Sequence, residues 1–123
     1  MNGALGDGTT AARVLPVAVQ GLSNALSVAV GSGHACAVRS GGSVNCWGNN
    51  IAGELGDGSV ADRLTTVTTL GLSSATAVAA GEYTSCAIVG NGKVMCWGDN
   101  DYGQLGDGTT ITSLTPVTVQ GSP

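Results

Sequence analysis

Apolar residues along this chain fall in short runs separated by glycine, not in stripes spaced for a helix. "ALSVAVG" (25–31) and "ATAVAAG" (75–81) are small-residue apolar runs that end at Gly. Such runs read as buried strands that pass close to a neighbour. Each is followed by two apolar stretches around a Gly turn, "HACAVRSGGSVNCWG" (34–48) and "TSCAIVGNGKVMCWG" (84–98), which is a hairpin signal. "LPVAV" (15–19) and "LTPVTV" (114–119) read as a fourth strand. Pro16 and Pro116 fit a strand start or an edge, because proline cannot donate to a ladder. The pattern predicts an all-β chain with four short antiparallel strands per unit.

The units repeat. Leu-Gly-Asp-Gly begins at Leu5, Leu55 and Leu105, Cys-Trp-Gly at Cys46 and Cys96, and Cys-Ala at Cys36 and Cys86, a period of 50 residues with no insertion. The expected division is a partial repeat over 1–20 that supplies the closing strand of a blade, full units over 21–70 and 71–120, and a tail over 121–123. Fixed periods of this size mark solenoids, propellers or arrays.

The cysteines test the hairpin register. A two-residue turn at Gly41 and Gly42 sets Ala37 opposite Cys46. A three-residue loop with a glycine bulge pairs Arg39 with Ser43, Val38 with Val44 and Cys36 with Cys46. In the second unit it pairs Val89 with Lys93, Ile88 with Val94 and Cys86 with Cys96, with Gly92 at the left-handed position. Only the second register puts the apolar partners on one face, and a slip of one residue would scatter them. Opposed residues on antiparallel strands have Cα atoms about 4.5–5.5 Å apart, within reach of a disulfide. Cys36–Cys46 and Cys86–Cys96 are therefore the expected bridges; the alternative is four buried thiols acting as small hydrophobes. Zinc fits poorly, with no Cys-x-x-Cys and only one histidine, His34. Paired cysteines would point to an extracytoplasmic setting: secreted, periplasmic or cell surface.

Composition narrows the function classes. The net charge is −4, and the four basic residues, Arg13, Arg39, Arg63 and Lys93, are scattered. Nucleic-acid binding needs clustered cations, so nucleic acid is not an expected partner. No apolar run reaches the ~18 residues of a membrane-spanning helix, so membrane insertion is not expected either. "DNDYGQLGDG" (99–108) superficially resembles a calcium loop but lacks its sixth-position Gly and twelfth-position Glu. Nucleophile-elbow, phosphate-loop and dinucleotide motifs are absent. No catalytic residue, cofactor or metal is expected. Glu54, Asp62 and Glu82 have no evident acid–base partner and read as solvated surface.

The unit V-x-V-A-A/V-G … C-A-V/I … G-x-V-x-C-W-G-x-N-x-x-G-x-L-G-D-G-T … P-V-x-V resembles the repeat of the regulator of chromosome condensation family, in its cysteine-containing bacterial form. The resemblance covers essentially the whole chain. It implies four-stranded blades of a β-propeller, typically closed by seven blades. It makes Trp47 and Trp97 packing anchors, with Gly48 and Gly98 beside them. Gly53, Gly56, Gly103 and Gly106 become turn residues, and Leu5, Leu55 and Leu105 plugs of apolar gaps. Asp7, Asp57 and Asp107 precede Gly in turns where Asp bonds nearby amides. His34 stands where such repeats often carry histidine, but the second unit has Thr84 there.

Constant positions in a repeat are scaffold, and function lies where units differ. Tyr102, which is Ala52 in the other unit, is the candidate partner contact. The expected function is a non-catalytic protein-binding scaffold. By analogy with the family, the alternatives are an exchange regulator of a small GTPase or an inhibitor of a secreted enzyme. Two full units do not close a ring. The blades missing from it are expected from a longer chain, or else from copies of this one, as in a homo-trimer.

Overall fold

In the computed structural model, residues 3–121 are described. Residues 1 and 2 of the expected partial repeat, and 122 and 123 of the expected tail, lie outside the described residues. The described chain contains eight strands and no helix: β1 (Ala25–Val30), β2 (His34–Arg39), β3 (Val44–Gly48), β4 (Arg63–Thr68), β5 (Ala75–Ala80), β6 (Thr84–Val89), β7 (Val94–Gly98) and β8 (Ser113–Thr118). They form two four-stranded sheets, in the order β1-β2-β3-β4 and β5-β6-β7-β8. Every neighbouring pair is antiparallel.

The hairpins take the three-residue loop. Arg39 N–H donates to Ser43 O at 3.0 Å and Val89 N–H to Lys93 O at 2.9 Å. Cys36 faces Cys46 and Val38 faces Val44; Cys86 faces Cys96 and Ile88 faces Val94. Gly42 and Gly92 hold φ of +89° and +86°, where L side chains are strained.

The two sheets stack face to face. Cys36, Val38, Val44 and Cys46 of the first sheet pack with Leu55, Leu72, Ala75, Ala87 and Trp97 in one core. Alternation along each strand sends the remaining side chains to the opposite face. On the first sheet that face carries Ala35, Ala37 and Trp47, covered by Val19 and Leu22.

Two strand expectations are corrected. Residues 15–19 form no strand. Their counterparts β4 and β8 pair with β3 and β7, and the described residues before 15 contain no third strand for 15–19 to join. The runs 25–30 and 75–80 are strands, but β1 is not buried: Leu26, Val28 and Val30 are 71, 60 and 73% exposed. β1 is an edge strand that bonds only to β2.

Candidate functional site

The seam between the sheets converges on one carbonyl. Trp97 Nε1–H and the Ser85 hydroxyl both donate to Glu54 O, each at 2.8 Å. His34 Nε2 lies 2.8 Å from Ser85 Oγ. With the Ser85 proton committed to Glu54 O, Nε2 is the donor and Nδ1 carries the lone pair. Nδ1 is buried without a partner among the described residues. Burial pushes the His34 pKa down to about 4, so the ring is neutral at pH 7. It is a buried strut that links the first sheet to Ser85 of the second.

Glu54 is fully buried, which corrects its expected place on the solvated surface. Its carboxylate accepts Ala52 N–H at 2.7 Å and Asn49 Nδ2–H at 3.2 Å. Burial raises its pKa, with Asp62 and Asp99 adding to the rise and the backbone N–H groups of Glu54 and Ala52 only partly offsetting it.

The loops after β3 and β7 are organised by residues to which the sequence assigned no role. Asn50 and Asn100 are fully buried. Asn50 Oδ1 accepts Leu55 N–H at 2.9 Å, while its Nδ2 donates to Ser59 O and Ala61 O, both at 3.0 Å. Asn100 repeats this with Leu105 N–H, Thr109 O and Ile111 O. One amide thus closes a loop of a dozen residues. The signal was present, since Asn follows Cys-Trp-Gly-x in both units.

Asp7, Asp57 and Asp107 each accept the backbone N–H and hydroxyl of the residue two positions on. Arg13 and Arg63 pair with Asp7 and Asp57 at 3.0 and 3.1 Å; Asp107 has Ser113 at the matching position. The Thr9 and Thr109 hydroxyls foremost hold Asp7 and Asp107 below the usual carboxylate range. For Asp57 burial pushes upward, but the Ser59, Asn50 and Arg63 contacts outweigh it. Leu55 and Leu105 are fully buried, while Leu5 is 41% exposed. Gly53 and Gly103 turn with φ of +80° and +74°. Gly56 is packed so that a Cβ would lie 2.8 Å from Trp97 Nε1; at Gly106 it would meet only Val119, at 3.0 Å. Gly48 and Gly98 lie against the backbone of β2 and β6, where a Cβ would come within 3.0 Å of His34 Cα and 3.1 Å of Thr84 Cα.

Cys36–Cys46 and Cys86–Cys96 are at disulfide distance, each with Cα atoms 4.0 Å apart, and no described cysteine is free. No three or more His, Cys, Asp or Glu residues among those described are grouped to hold a metal. No described helix is long and apolar enough to cross a membrane.

One loop surface differs between the units. Tyr102, 92% exposed, and Tyr83, 40% exposed, flank a cleft of about 310 Å³ lined also by Glu82, Thr84, Asp99 and Gln104. Asp101 and Ile51 line an adjoining hollow. The first unit has Ser32, Gly33, Asn49, Ile51 and Ala52 where the second has Glu82, Tyr83, Asp99, Asp101 and Tyr102.

Two sequence models, both described as the regulator of chromosome condensation (RCC1) repeat, match the chain. One covers residues 26–54 and 75–104, the other 1–38 and 91–123. The chain belongs to the RCC1 repeat family. A search of curated protein sequences finds no match. Among solved structures, human WBSCR16 is similar at 20% identity with a TM-score of 0.78, over 96% of this chain and 33% of that one; at this identity the likeness speaks for the fold. Yeast RCC1 (Prp20), solved bound to Kap60, matches at 27% identity and a TM-score of 0.62, over 76% of this chain and 24% of that one. Prp20p from Saccharomyces cerevisiae, described with its binding properties to Gsp1p and histones, matches at 27% and 0.60, over 78% and 25%. The chain thus spans between a quarter and a third of these relatives. Its two sheets are RCC1-type propeller blades, and two blades form no closed ring.

Proposed function

We propose that this chain is a non-catalytic scaffold that holds a protein partner through the loop cleft between Tyr83 and Tyr102. The observation that carries this reading is where the units diverge. Both tyrosines of the chain and three of its eight acidic residues, Glu82, Asp99 and Asp101, belong to the second unit's loops, at positions where the first unit has Gly33, Ala52, Ser32, Asn49 and Ile51. Carboxylates beside exposed aromatic rings suit a cationic side chain, by charge and by attraction to the ring face. A Lys- or Arg-rich protein segment is the partner class this favours, and the binding of histones described for Prp20p supports it. The blade division at 21–70 and 71–120, with 1–20 as the closing part of a preceding blade, belongs to the same reading. The paired cysteines support an oxidising, extracytoplasmic setting.

Calorimetric titration with core histones or an Arg-rich peptide tests the reading. Tyr102→Ala is expected to weaken binding about tenfold, roughly 1.4 kcal/mol, and added salt to weaken it further. Equal binding by Tyr102→Ala and wild type would remove the cleft from the account. A second reading, an exchange regulator of a small GTPase, draws on the Gsp1p binding described for Prp20p. A nucleotide-release assay separates the two, since the scaffold reading expects no acceleration.

A further inference from the structure

Two asparagines of the chain precede glycine, Asn2 and Asn91. Asn2 lies outside the described residues. Asn91 stands at the tip of the β6–β7 hairpin, exposed, with exposed Gly92 after it. The exposure of this position belongs to the hairpin itself. Its match in the first unit, Gly41, is exposed with nothing within 4 Å of where a Cβ would stand. That holds although the chain entering β5 packs on the adjacent Gly42, to whose carbonyl Ala75 N–H donates at 2.9 Å. The tip lies at the opposite end of β6 and β7 from Tyr83 and Tyr102.

The pair has the parts of an intramolecular acyl transfer. The peptide nitrogen after an asparagine closes a five-membered ring when it attacks the side-chain Cγ. A Cβ on the following residue crowds that approach, and Gly92 has none. Lys93 N–H donates to Asn91 Oδ1 at 3.2 Å. Negative charge develops on that oxygen as the ring closes, and a donor already held there lowers the barrier. One contact opposes the attack: Gly92 N–H donates to Val89 O at 2.8 Å. Releasing one such bond slows the reaction about tenfold. The other asparagines lack the combination. Asn45, Asn50 and Asn100 are buried; Asn24 and Asn49 precede Ala25 and Asn50, which carry a Cβ. In the Asp-Gly turns, Asp7, Asp57 and Asp107 are held below the usual carboxylate range, and an ionised carboxylate is a poor electrophile.

We propose that Asn91 and Gly92 form a self-modification site, at which the Gly92 nitrogen attacks Asn91 Cγ and ammonia leaves. The nitrogen–Cγ bond forms, the Cγ–Nδ2 bond breaks, and the proton from the Gly92 nitrogen departs with the ammonia. Water then opens the ring imide at either carbonyl, so no oxidant or reductant is needed. Opening at the side-chain carbonyl gives an aspartyl residue at position 91. Its carboxylate still accepts Lys93 N–H, now as a charge-assisted bond. Opening at the main-chain carbonyl gives an isoaspartyl residue, which routes the backbone through the side chain and lengthens the loop by a methylene. Loop length sets hairpin register, so the isoaspartyl form works against the bond from Val89 N–H to Lys93 O, 2.9 Å long. The Cys86–Cys96 pair further along the ladder confines the change to the tip.

Ageing the full chain in mildly alkaline buffer, followed by peptide mapping by mass, tests the proposal. A parallel sample is kept reduced and unfolded in guanidinium chloride. Among the described asparagines, Asn91 is expected to convert first, within about tenfold of its rate in the unfolded sample, and to give the isoaspartyl product alongside the aspartyl one. Asn2 maps to a different peptide. Asn91→Gln, whose longer side chain closes no five-membered ring, should show no conversion at that position and melt as the wild type does. Amide exchange at Val89 should quicken in the isoaspartyl form and stay unchanged in the aspartyl form. Asn91 remaining an amide in the folded chain, whether or not the unfolded sample converts, would overturn the proposal. An aspartyl product without its isoaspartyl partner would overturn it in favour of direct hydrolysis. The tip is remote from the tyrosine cleft, so the histone titration and the ageing experiment fail independently.

Discussion

The first and second sheets have the same strands, the same register and nearly the same residues, yet they live in different surroundings. The first lies between the second sheet and the segment 3–22; the second is covered on one face only. β2 and β3 are buried almost throughout, whereas β6 alternates between buried and partly exposed as far as Ile88 and β7 is buried only from Cys96 onward. The loops follow suit: Gly53, Glu54 and Gly56 are buried, while Gln104 and Gly106 are exposed. Burial in a stacked repeat is therefore a property of the neighbour as much as of the unit.

The largest difference should come from the tryptophans. Trp97 is fully buried between two sheets and donates to Glu54 O; Trp47 is covered only by the N-terminal segment. Trp97→Ala is expected to cost about 3–5 kcal/mol, a large share of the stability of a small domain. Trp47→Ala should cost less. Urea midpoints of the two variants check the order, and equal losses would break the comparison.

The asparagine hubs come next. Asn50→Ala and Asn100→Ala each orphan a buried amide, at a cost of about 1–3 kcal/mol. Asn50→Ala should be the worse, because its loop is clamped between sheets and Asn100's can admit water. Amide exchange at Leu55 and Leu105 reports each loop directly. A smaller effect is expected from side-chain trimming at matched positions. Val38→Ala removes about two buried methylene equivalents, near 1.6 kcal/mol, while Ile88→Val on the open face should cost under about 0.5 kcal/mol. Thermal midpoints distinguish them.

The smallest effect is on pH dependence. The folded His34 pKa is depressed to about 4, so below the unfolded value near 6.5 the unfolded chain binds a proton that the native state does not. Stability therefore falls as pH drops from about 6.5 towards 4. Glu54, whose pKa is raised by burial, acts with the opposite sign above about 4.5, because its native state holds the proton more firmly. The His34 slope should be visible in wild type and flattened in His34→Gln, by urea melts at several pH values. The second unit has Thr84 in this place and should contribute no such slope.

The hairpins were legible because alternation has a period of two and only one loop length puts Cys36, Val38, Val44 and Cys46 on one face. The same reasoning gave Cys86–Cys96. The Pro-Val strand was read correctly at 114–119 and wrongly at 15–19, because the strand after a Gly-Asp-Gly loop forms only where a third strand exists to receive it. The asparagine hubs were not read, because a polar residue in a turn says nothing about burial unless the loop path is known. Glu54 was misplaced for the same reason: its burial comes from the next blade, whose Ser85 and Trp97 lie 31 and 43 residues further on. The tyrosine cleft was half-read. Tyr102 stood out against Ala52, but Tyr83 lies in another loop that only the fold brings near.

Differential reduction tests the central claim, two equal blades in unequal surroundings, most directly. Cys36 and Cys46 are fully buried, whereas Cys86 is half-exposed. Alkylation and mass analysis under graded reductant should find no free thiol at the start, then opening of Cys86–Cys96 well before Cys36–Cys46. Four alkylated cysteines before any reductant, or the first-sheet bridge opening first, would contradict the account.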